Sequence, residues 1–316
     1  MMENKPLAFA VKHKNIEERM ESRSGGIFTA VSDIILEQNG VVYGCALDEN
    51  LQVVHIRAET ADERNRMRGS KYVQSRMGNI FRDVKDDLEH GRKVLFTGTF
   101  CQVAGLRSFL MKPYENLYCM DIICHAVPSP LIYRRYLQWQ EERYGKIKEI
   151  DFRNKKDFGW HSHIETLLCE KKKVDDRVWT SIFYNNLFIR PSCYECPYKT
   201  LLHESDITIG DYWGIEKAAP GFDDNNGVSL VLINSGKGLT LFEAAQKSIN
   251  FEATKIEDSM QQPLCAPYQR PENRDKAWTD FSEMSFDEFA KVYGRNGLKQ
   301  KIKIGISRVK KLAGKY

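Results

Sequence analysis

The chain has 316 residues, of which 42% are hydrophobic and 28% charged, enough for one large or two ordinary folded domains. No apolar run approaches ~18 residues, which excludes a membrane-spanning helix, and residues 1–14 lack a signal-peptide core, so we expect a cytoplasmic protein. The net charge is +4, yet residues 297–316 hold seven Lys/Arg and no acid. The remainder is therefore at −3, which argues against nucleic-acid binding by the globular part.

In the first third of the chain, the sequence pattern predicts helices that alternate with short strands. Ser22 or Ser24 is expected to cap a helix whose apolar face runs from Ile27 to Ile35. Asn39-Gly40 is a typical helix stop. The further elements predicted here are a hairpin over 40–58, a short helix capped by Thr60, an amphipathic helix over 79–90, a strand over 94–97 and a helix over 102–111.

The rest of the chain continues without a regular strand–helix–strand rhythm. Predicted elements are a strand over 117–123, a helix from Pro130, a hairpin over 147–153 and 163–169, a helix over 178–189, strands over 207–214 and 228–234, and a helix over 238–248. Residues 261–280 are polar and Pro-rich and are expected to wrap the surface. Hairpins interrupt the alternation, so the pattern predicts an α/β fold of α+β type, with mixed β-sheets and flanking helices rather than a regular Rossmann fold.

Eight cysteines in a chain of this length do not form a disulfide framework. Three lie in apolar runs and are interpreted as structural thiols, and Cys265 has no predicted role. Four stand at predicted strand ends or in a C-x2-C pair: Cys101, Cys124, Cys193 and Cys196. Thiolates bind iron–sulfur clusters or zinc, but the C-x2-C-x2-C run of ferredoxins is absent. Spacing alone leaves a cluster, zinc and unligated thiols open.

Three glycine turns form a second group of candidates. They are Ser24-Gly25-Gly26, Gly69-Ser70-Lys71 after Arg68, and Thr97-Gly98-Thr99 with Gln102 nearby. The first opens a helix, where free N–H groups and the helix dipole favour a phosphate. One such turn is usually only a turn, whereas three beside candidate thiol ligands favour a phosphate-bearing cofactor. Four polar or aromatic residues also lie near turns, where each alone is more often a surface or satisfied side chain: His125, Lys155, Trp160 and His161.

Seven segments carry a resemblance to a known family. They are SRSGGIFTA (22–30), VVYGCA (41–46), RGSKYVQS (68–75), TGTFCQVAGL (97–106), DIICHAVPS (121–129), RPSCYEC (190–196) and DITIGDYWG (206–214). In this order they closely resemble the coenzyme F(420) hydrogenase/dehydrogenase beta-subunit family. The chain departs from the family pattern at Phe100, where Pro is common, and at Ala126, where Gly is common.

The resemblance implies an iron–sulfur flavoprotein oxidoreductase that moves electrons between a 4Fe-4S cluster, FAD and a hydride carrier or organic substrate. It implies Cys101, Cys124, Cys193 and Cys196 as cluster ligands. The implied flavin-site residues are Ser24, Gly25, Gly26, Gly69, Ser70, Lys71, Thr97, Gly98, Thr99 and Gln102. His125, Lys155, Trp160 and His161 become substrate-side candidates. The matching domain division is 1–112 for flavin, 113–260 for cluster and substrate, and 261–316 as a surface-wrapping segment with a basic tail.

Related members resemble stand-alone proteins of polysaccharide gene clusters. This chain has no ferredoxin-type cysteine run before Cys45, so we expect a separate electron donor such as ferredoxin and a small-molecule substrate, for instance a glycan precursor. Two other functions stay open: a metal-stabilised, non-redox binding or assembly protein, and a group-transfer enzyme of polysaccharide synthesis. The basic tail is either an interfacial helix in peripheral contact with an anionic membrane or a solvated end.

Overall fold

The computed structural model describes residues 5–312, and residues 313–316 of the predicted basic tail lie outside the described part. The eleven strands described are β1 Leu7–His13, β2 Val41–Leu47, β3 Val53–Ala58, β4 Val94–Thr99, β5 Leu117–Ile122, β6 Ile147–Asp151, β7 Glu165–Cys169, β8 Lys173–Asp176, β9 Ile207–Asp211, β10 Ser229–Ile233 and β11 Ile249–Thr254.

The α-helices described are α1 Ile16–Glu21, α2 Ile27–Glu37, α3 Ala61–Asn65, α4 Ile80–Glu89, α5 Phe100–Leu110, α6 Pro130–Tyr144, α7 Lys155–Phe158, α8 Val178–Tyr184, α9 Ile215–Ala218, α10 Gly236–Ala245, α11 Arg274–Glu283, α12 Phe286–Val292 and α13 Leu298–Leu312. Short 3-10 turns lie at Pro191–Cys193, Gln246–Ser248, Ile256–Ser259 and Gln262–Leu264. None of the helices within residues 5–312 combines the length and the apolar character that crossing a bilayer requires.

The described chain divides into two compact units, each assembled from separate segments. The first unit comprises residues 5–69, 75–125 and 196–266, and the second comprises 70–74, 126–195 and 267–312. The division of the chain into functional regions 1–112, 113–260 and 261–316 stays a prediction.

The first unit is built on an eight-stranded mixed sheet in the order β11-β1-β10-β9-β5-β4-β2-β3. Strands β2, β4, β5 and β9 run parallel in its centre, and the strands on either side pair antiparallel. The mixed sheet with flanking helices confirms the predicted fold class. Because β4 and β5 are parallel neighbours, the segments that follow them leave from the same edge of the sheet.

Helices cover both faces of this sheet, because successive strand residues point to opposite sides. Val42 and Leu95 pack in one apolar cluster with residues of α2 and α10. Their chain neighbours Tyr43 and Phe96 pack in a second cluster with residues of α4 and α5. The continuous apolar run before Thr97 is therefore a strand that is buried on both faces.

Two helix starts differ from the sequence prediction. The N-cap of α2 is Gly26, and no side chain caps this helix end, so the prediction of a Ser22 or Ser24 cap is wrong. The hydroxyl of Ser22 donates instead to the carbonyl oxygen of Glu18, and that of Ser24 donates to the carboxylate of Asp211. Helix α5 begins two residues earlier than predicted, and Cys101 lies in its first turn rather than in a preceding loop.

The second unit contains the antiparallel sheet β6-β7-β8 and the helices around it. The pairing of Ile150 with Leu167 lies in the predicted hairpin and confirms it, while β8 was not predicted. Helix α8 ends at Tyr184, earlier than the predicted residue 189. Helices α11 and α12 lie within residues 261–316, which were predicted to be a surface-wrapping segment with a basic tail.

Candidate functional site

Two of the predicted cysteines follow neighbouring strand ends of the first unit. Gly98 of β4 is paired with Asp121 of β5, so the two strands end at the same edge. Cys101 is exposed in the first turn of α5, and its Sγ lies 3.2 Å from Oγ1 of Thr99. Cys124 is partly buried just beyond β5. The fold thus brings the backbone segments that carry Cys101 and Cys124 to one edge, whereas the strand pattern predicted only that each of them follows a strand end.

A buried lysine ties the third cysteine segment to the same edge. Lys199 is only 3% exposed, and its Nζ donates to the carbonyl oxygen of Cys124 at 2.9 Å and to that of His125. Cys196 precedes this lysine by three residues and is partly buried in the same unit. The loop after β5 and the chain segment from Cys196 to Lys199 are therefore neighbours. The sequence contained no local signal for this lysine.

The fourth cysteine belongs to the second unit. Cys193 ends the 3-10 turn Pro191–Cys193 and is partly buried. No described cysteine forms a disulfide. Four thiols match the donor set of a 4Fe-4S cluster. However, within residues 5–312 no three or more His, Cys, Asp or Glu side chains are gathered closely enough to hold a metal ion. The ligand set therefore stays a prediction, and no chemical step is derived through a cluster.

A buried polar group lies behind the first turn of α5. The side chain of His203 is buried, with Nδ1 2.7 Å from Oγ1 of Thr208 and 3.3 Å from the carboxylate of Asp121, while Nε2 lies 2.8 Å from the carbonyl oxygen of Thr200. The ring of Phe100 packs on the imidazole with 4.0 Å between centroids. Phe100, one of the two departures from the family pattern, thus packs the helix turn that carries Cys101 against His203.

The turn before α2 is fixed against the large sheet. The N–H of Gly25 donates to Oγ of Ser229 at 2.9 Å, and its carbonyl accepts the N–H of His13 at 2.7 Å. A Cβ on Gly25 would overlap the carbonyl oxygen of Val11 and lie 2.6 Å from the nitrogen of Ser229. Gly26 has a φ of +93°, in the left-handed region that favours glycine. The sequence Gly25-Gly26 is therefore required for the close approach of this turn to the sheet.

His13 is a candidate ligand-binding residue that the sequence reasoning missed. It is 8% exposed, and its Nδ1 accepts the N–H of Asn15 at 3.1 Å, so the ring proton is placed on Nε2. Burial lowers the pKa of His13, which favours this neutral form. The buried Nε2 has no hydrogen-bond partner among the described residues. The only available signal was a histidine at the end of a strand that was itself not predicted.

The buried Nε2 of His13 and the uncapped start of α2 together fit an anionic group at this helix start. The side chain of His13 lies directly against Gly26, since a Cβ on that glycine would be 2.9 Å from the Cβ of His13. The first N–H groups of a helix have no intrahelical partner, and no side chain caps this end of α2. An orphaned buried donor beside an uncapped helix start is the arrangement that a phosphate satisfies.

The polar side chains at the end of β4 are occupied by contacts within the first unit. Gln102 accepts the N–H of Thr99 at 2.9 Å and donates to Oγ of Ser75 at 2.8 Å. That hydroxyl lies 2.9 Å from Nδ1 of His55, whose Nε2 lies 3.0 Å from the carbonyl oxygen of Thr97. These contacts hold the end of β4 in place. Gly98, between Thr97 and Thr99, has no side chain.

The predicted turn Gly69-Ser70-Lys71 does not stay within one unit. Gly69 is exposed, has a φ of +78° and ends a segment of the first unit, whereas Ser70 and Lys71 belong to the second. Arg68, before the turn, forms an ion pair with Glu18. The role of this turn in cofactor binding stays a prediction.

The substrate-side candidates are also divided between the units. The carbonyl of His125 accepts from Lys199 in the first unit. In the second unit, Lys155 is buried in the single turn of α7, and the rings of Trp160 and His161 lie 4.9 Å apart. Trp160 has no exposed surface, so it is a core side chain in this conformation. The roles predicted for these four residues remain predictions.

The fold and the site together define a class of protein: an α/β protein with an uncapped helix start beside a buried histidine, and with cysteines after parallel strands. The chain belongs to the coenzyme F(420) hydrogenase/dehydrogenase beta-subunit family, because the model for the C terminus of that family's beta subunits matches residues 91–259. The chain is thus related to the hydrogenase/dehydrogenase-type beta subunits of an oxidoreductase family, and the sequence motifs predicted this family.

A solved structure shares the fold. A chain of the F(420)-reducing [NiFe] hydrogenase complex from Methanosarcina barkeri, in a xenon-derivatised form, is similar with a TM-score of 0.55 and 16% identity. The similarity covers 82% of this chain and 85% of that chain. At this identity the likeness supports the fold alone. No curated protein sequence matches the chain.

Proposed function

We propose that this protein is an iron–sulfur flavoprotein oxidoreductase that passes electrons between a 4Fe-4S cluster, FAD and a hydride carrier or organic substrate. The observation that carries the proposal is the uncapped start of α2, where an orphaned His13 donor lies beside Gly26. Together with membership of a redox family, it supports a phosphate-bearing redox cofactor. A bound flavin would supply hydride transfer and single-electron transfer.

The chain's own residues would bind and orient that cofactor. Backbone N–H groups after Gly26 and the Nε2–H of His13 would donate to a flavin phosphate as their common acceptor. The polar contacts around Gln102 hold the end of β4 rigidly. Lys199 holds the loop that carries Cys124. Cys101 and Cys124 would then be presented to a cluster on elements that these contacts fix.

The flavin part of the proposal is tested by a matched pair of glycine variants. Gly26 and Gly221 both have positive φ, +93° and +81°, but a Cβ at Gly26 meets His13 whereas one at Gly221 meets nothing within 4 Å. Gly26→Ala should therefore lose bound flavin, measured as the flavin released per chain after anaerobic purification, while Gly221→Ala should retain it. Equal flavin content in the two variants would contradict the assignment of this turn.

The cluster part is tested by cysteine variants. Cys193→Ser should abolish bound iron without abolishing flavin, because the thiolate is a ligand of the cluster and not of the flavin. Cys265→Ser is the matched control, since Cys265 is an exposed thiol outside the proposed set. Iron content that is unchanged in Cys193→Ser removes Cys193 from the ligand set.

Purification under anaerobic conditions also separates the alternatives. Flavin bands with broad iron–sulfur absorption support the proposed oxidoreductase. A colourless protein with stoichiometric zinc supports the metal-stabilised binding or assembly protein. A colourless and metal-free protein that acts on activated sugars supports a group-transfer enzyme of polysaccharide synthesis.

The remaining parts of the proposal concern partners and location. We propose that a separate donor such as ferredoxin supplies the electrons, and that the substrate is a small molecule, for instance a glycan precursor. We also propose that the protein works in the cytoplasm, in peripheral contact with the inner face of the membrane through its basic C-terminal segment. Stopped-flow reduction of the bound flavin by reduced ferredoxin tests the donor, and no reduction above the buffer rate would exclude it.

A further inference from the structure

The C-terminal helix α13 has an inner side that is fixed to the second unit. Ile304 is buried in a small apolar cluster with Phe158 and Ile164. Arg308, one turn further along, forms an ion pair with Asp175, and its guanidinium lies 5.2 Å from the ring centroid of Phe158. The helix is therefore docked through residues four apart, which share one face.

The opposite side of the same helix presents apolar side chains to solvent. Ile302, Ile306 and Val309 are 55%, 50% and 65% exposed. Their spacing of four and then three residues places them on one stripe of an α-helix. We name these three residues the exposed stripe. Isolated exposed apolar residues are ordinary, but three on one stripe of one short helix need a partner surface.

The charge of residues 297–316 indicates that the partner surface is anionic. Residues 297–316 hold seven Lys/Arg and no Asp or Glu, whereas the rest of the chain is at −3. Among the described side chains, Lys303 lies exposed next to the stripe. Apolar residues along one face of a basic helix are typical of helices that lie in the interface of an anionic bilayer.

We propose that the exposed stripe of α13 is the surface through which this protein binds anionic lipid membranes. The helix would lie parallel to the membrane plane, with Ile302, Ile306 and Val309 entering the headgroup region while Ile304 keeps the helix attached to the second unit. This inference rests on the peripheral location proposed above and is independent of the redox chemistry. It specifies the contact surface and the lipid charge.

The test is flotation of the full chain with vesicles. Wild-type protein should float with vesicles of phosphatidylcholine containing phosphatidylglycerol, and should stay behind with phosphatidylcholine alone. Ile302→Asp combined with Ile306→Asp should lower the bound fraction by at least about tenfold, because both apolar contacts are lost and two repelling charges are added. The control is Leu131→Asp combined with Val292→Asp, at residues of the same unit that are 46% and 58% exposed.

Each outcome decides a separate point. Failure of the wild-type chain to float with anionic vesicles overturns both the surface and the proposed location. Flotation of the stripe variant at the wild-type level overturns the surface alone, and equal flotation with neutral vesicles overturns the anionic partner. Ile302→Ser combined with Ile306→Ser keeps the charge unchanged and should still reduce binding, which guards against a fold effect of the aspartates. Flavin and iron contents are measured on the same samples, so failure of the redox proposal is seen independently.

Discussion

The close approach of Gly25 to the sheet can be tested by adding one methyl group. In Gly25→Ala the new Cβ would overlap the carbonyl oxygen of Val11 and lie 2.6 Å from the nitrogen of Ser229, and both are backbone atoms of paired strands. The strands cannot move without disturbing the sheet, so the turn must move away. That movement breaks the hydrogen bonds of Gly25 to His13 and to Ser229.

The size of the effect follows from these contacts. Two hydrogen bonds contribute about 1 kcal/mol each, and overpacking costs about 1–3 kcal/mol, so we expect a loss of about 3–5 kcal/mol in the free energy of unfolding. This is a large part of the total stability of an ordinary domain, about 5–15 kcal/mol. For a unit of this size each kcal/mol lowers Tm by about 2–4 °C, which gives a drop of about 6–20 °C.

The assay is thermal unfolding followed by circular dichroism, with urea unfolding as a second measure. Gly236→Ala is the matched control, because Gly236 is the first residue of α10 and a Cβ there meets nothing within 4 Å. Alanine in a helix should leave stability unchanged or raise it by about 0.4–1 kcal/mol. If Gly25→Ala melts at the same temperature as Gly236→Ala, the argument that the turn is pinned to the sheet is wrong.

Three further predictions concern buried polar groups. Burial lowers the pKa of His13 below its ordinary 6.5, so the free energy of unfolding should decrease as the pH falls below 6.5. His13→Gln should reduce this decrease, measured as the change of the urea midpoint with pH. Burial and nearby Asp176 raise the pKa of Glu165 from 4.5 to about 8, so stability should decline as the pH rises across that window. Glu165→Gln should remove this part of the pH dependence, and an unchanged profile would contradict it. Lys199→Met should cost about 1–3 kcal/mol in thermal unfolding, because the carbonyl of Cys124 loses its buried donor, with Lys199→Arg as the milder comparison.

Much of the first unit could be predicted because its signals are local. The run Val94-Leu95-Phe96 is apolar at every position, which is typical of a strand buried on both faces, and β4 is such a strand. The predicted cap Thr60 acts within one helical turn, and the structure confirms this cap and completes it as a capping box with Glu63. The edge strand β11 was missed because its residues between Ile249 and Thr254 are mostly exposed and show little alternation.

The candidate site could be predicted only in outline. The sequence predicted that Cys101 and Cys124 each follow a strand end, and only the strand order of the sheet decided that the two ends share an edge. The partners of those segments lie far away in sequence: Lys199 reaches Cys124 across 75 residues, and His203 reaches Asp121 across 82. Such contacts form when segments distant in sequence pack together, and neither hydrophobic periodicity nor residue spacing in the sequence predicts them.

The start of α2 shows where the sequence and the tertiary structure each decide. The glycine pair by itself indicated a turn and a helix start, because few other residues tolerate that backbone. Which groups surround the turn depended on the fold. The Ser24 hydroxyl bonds Asp211, 187 residues away, instead of capping the helix, and the end of β1 places His13 against Gly26. The local sequence therefore determined the turn. The tertiary structure determined that no side chain caps α2 and that the buried Nε2 of His13, which has no partner among the described residues, lies beside this helix start, because strand pairing brings these distant segments together.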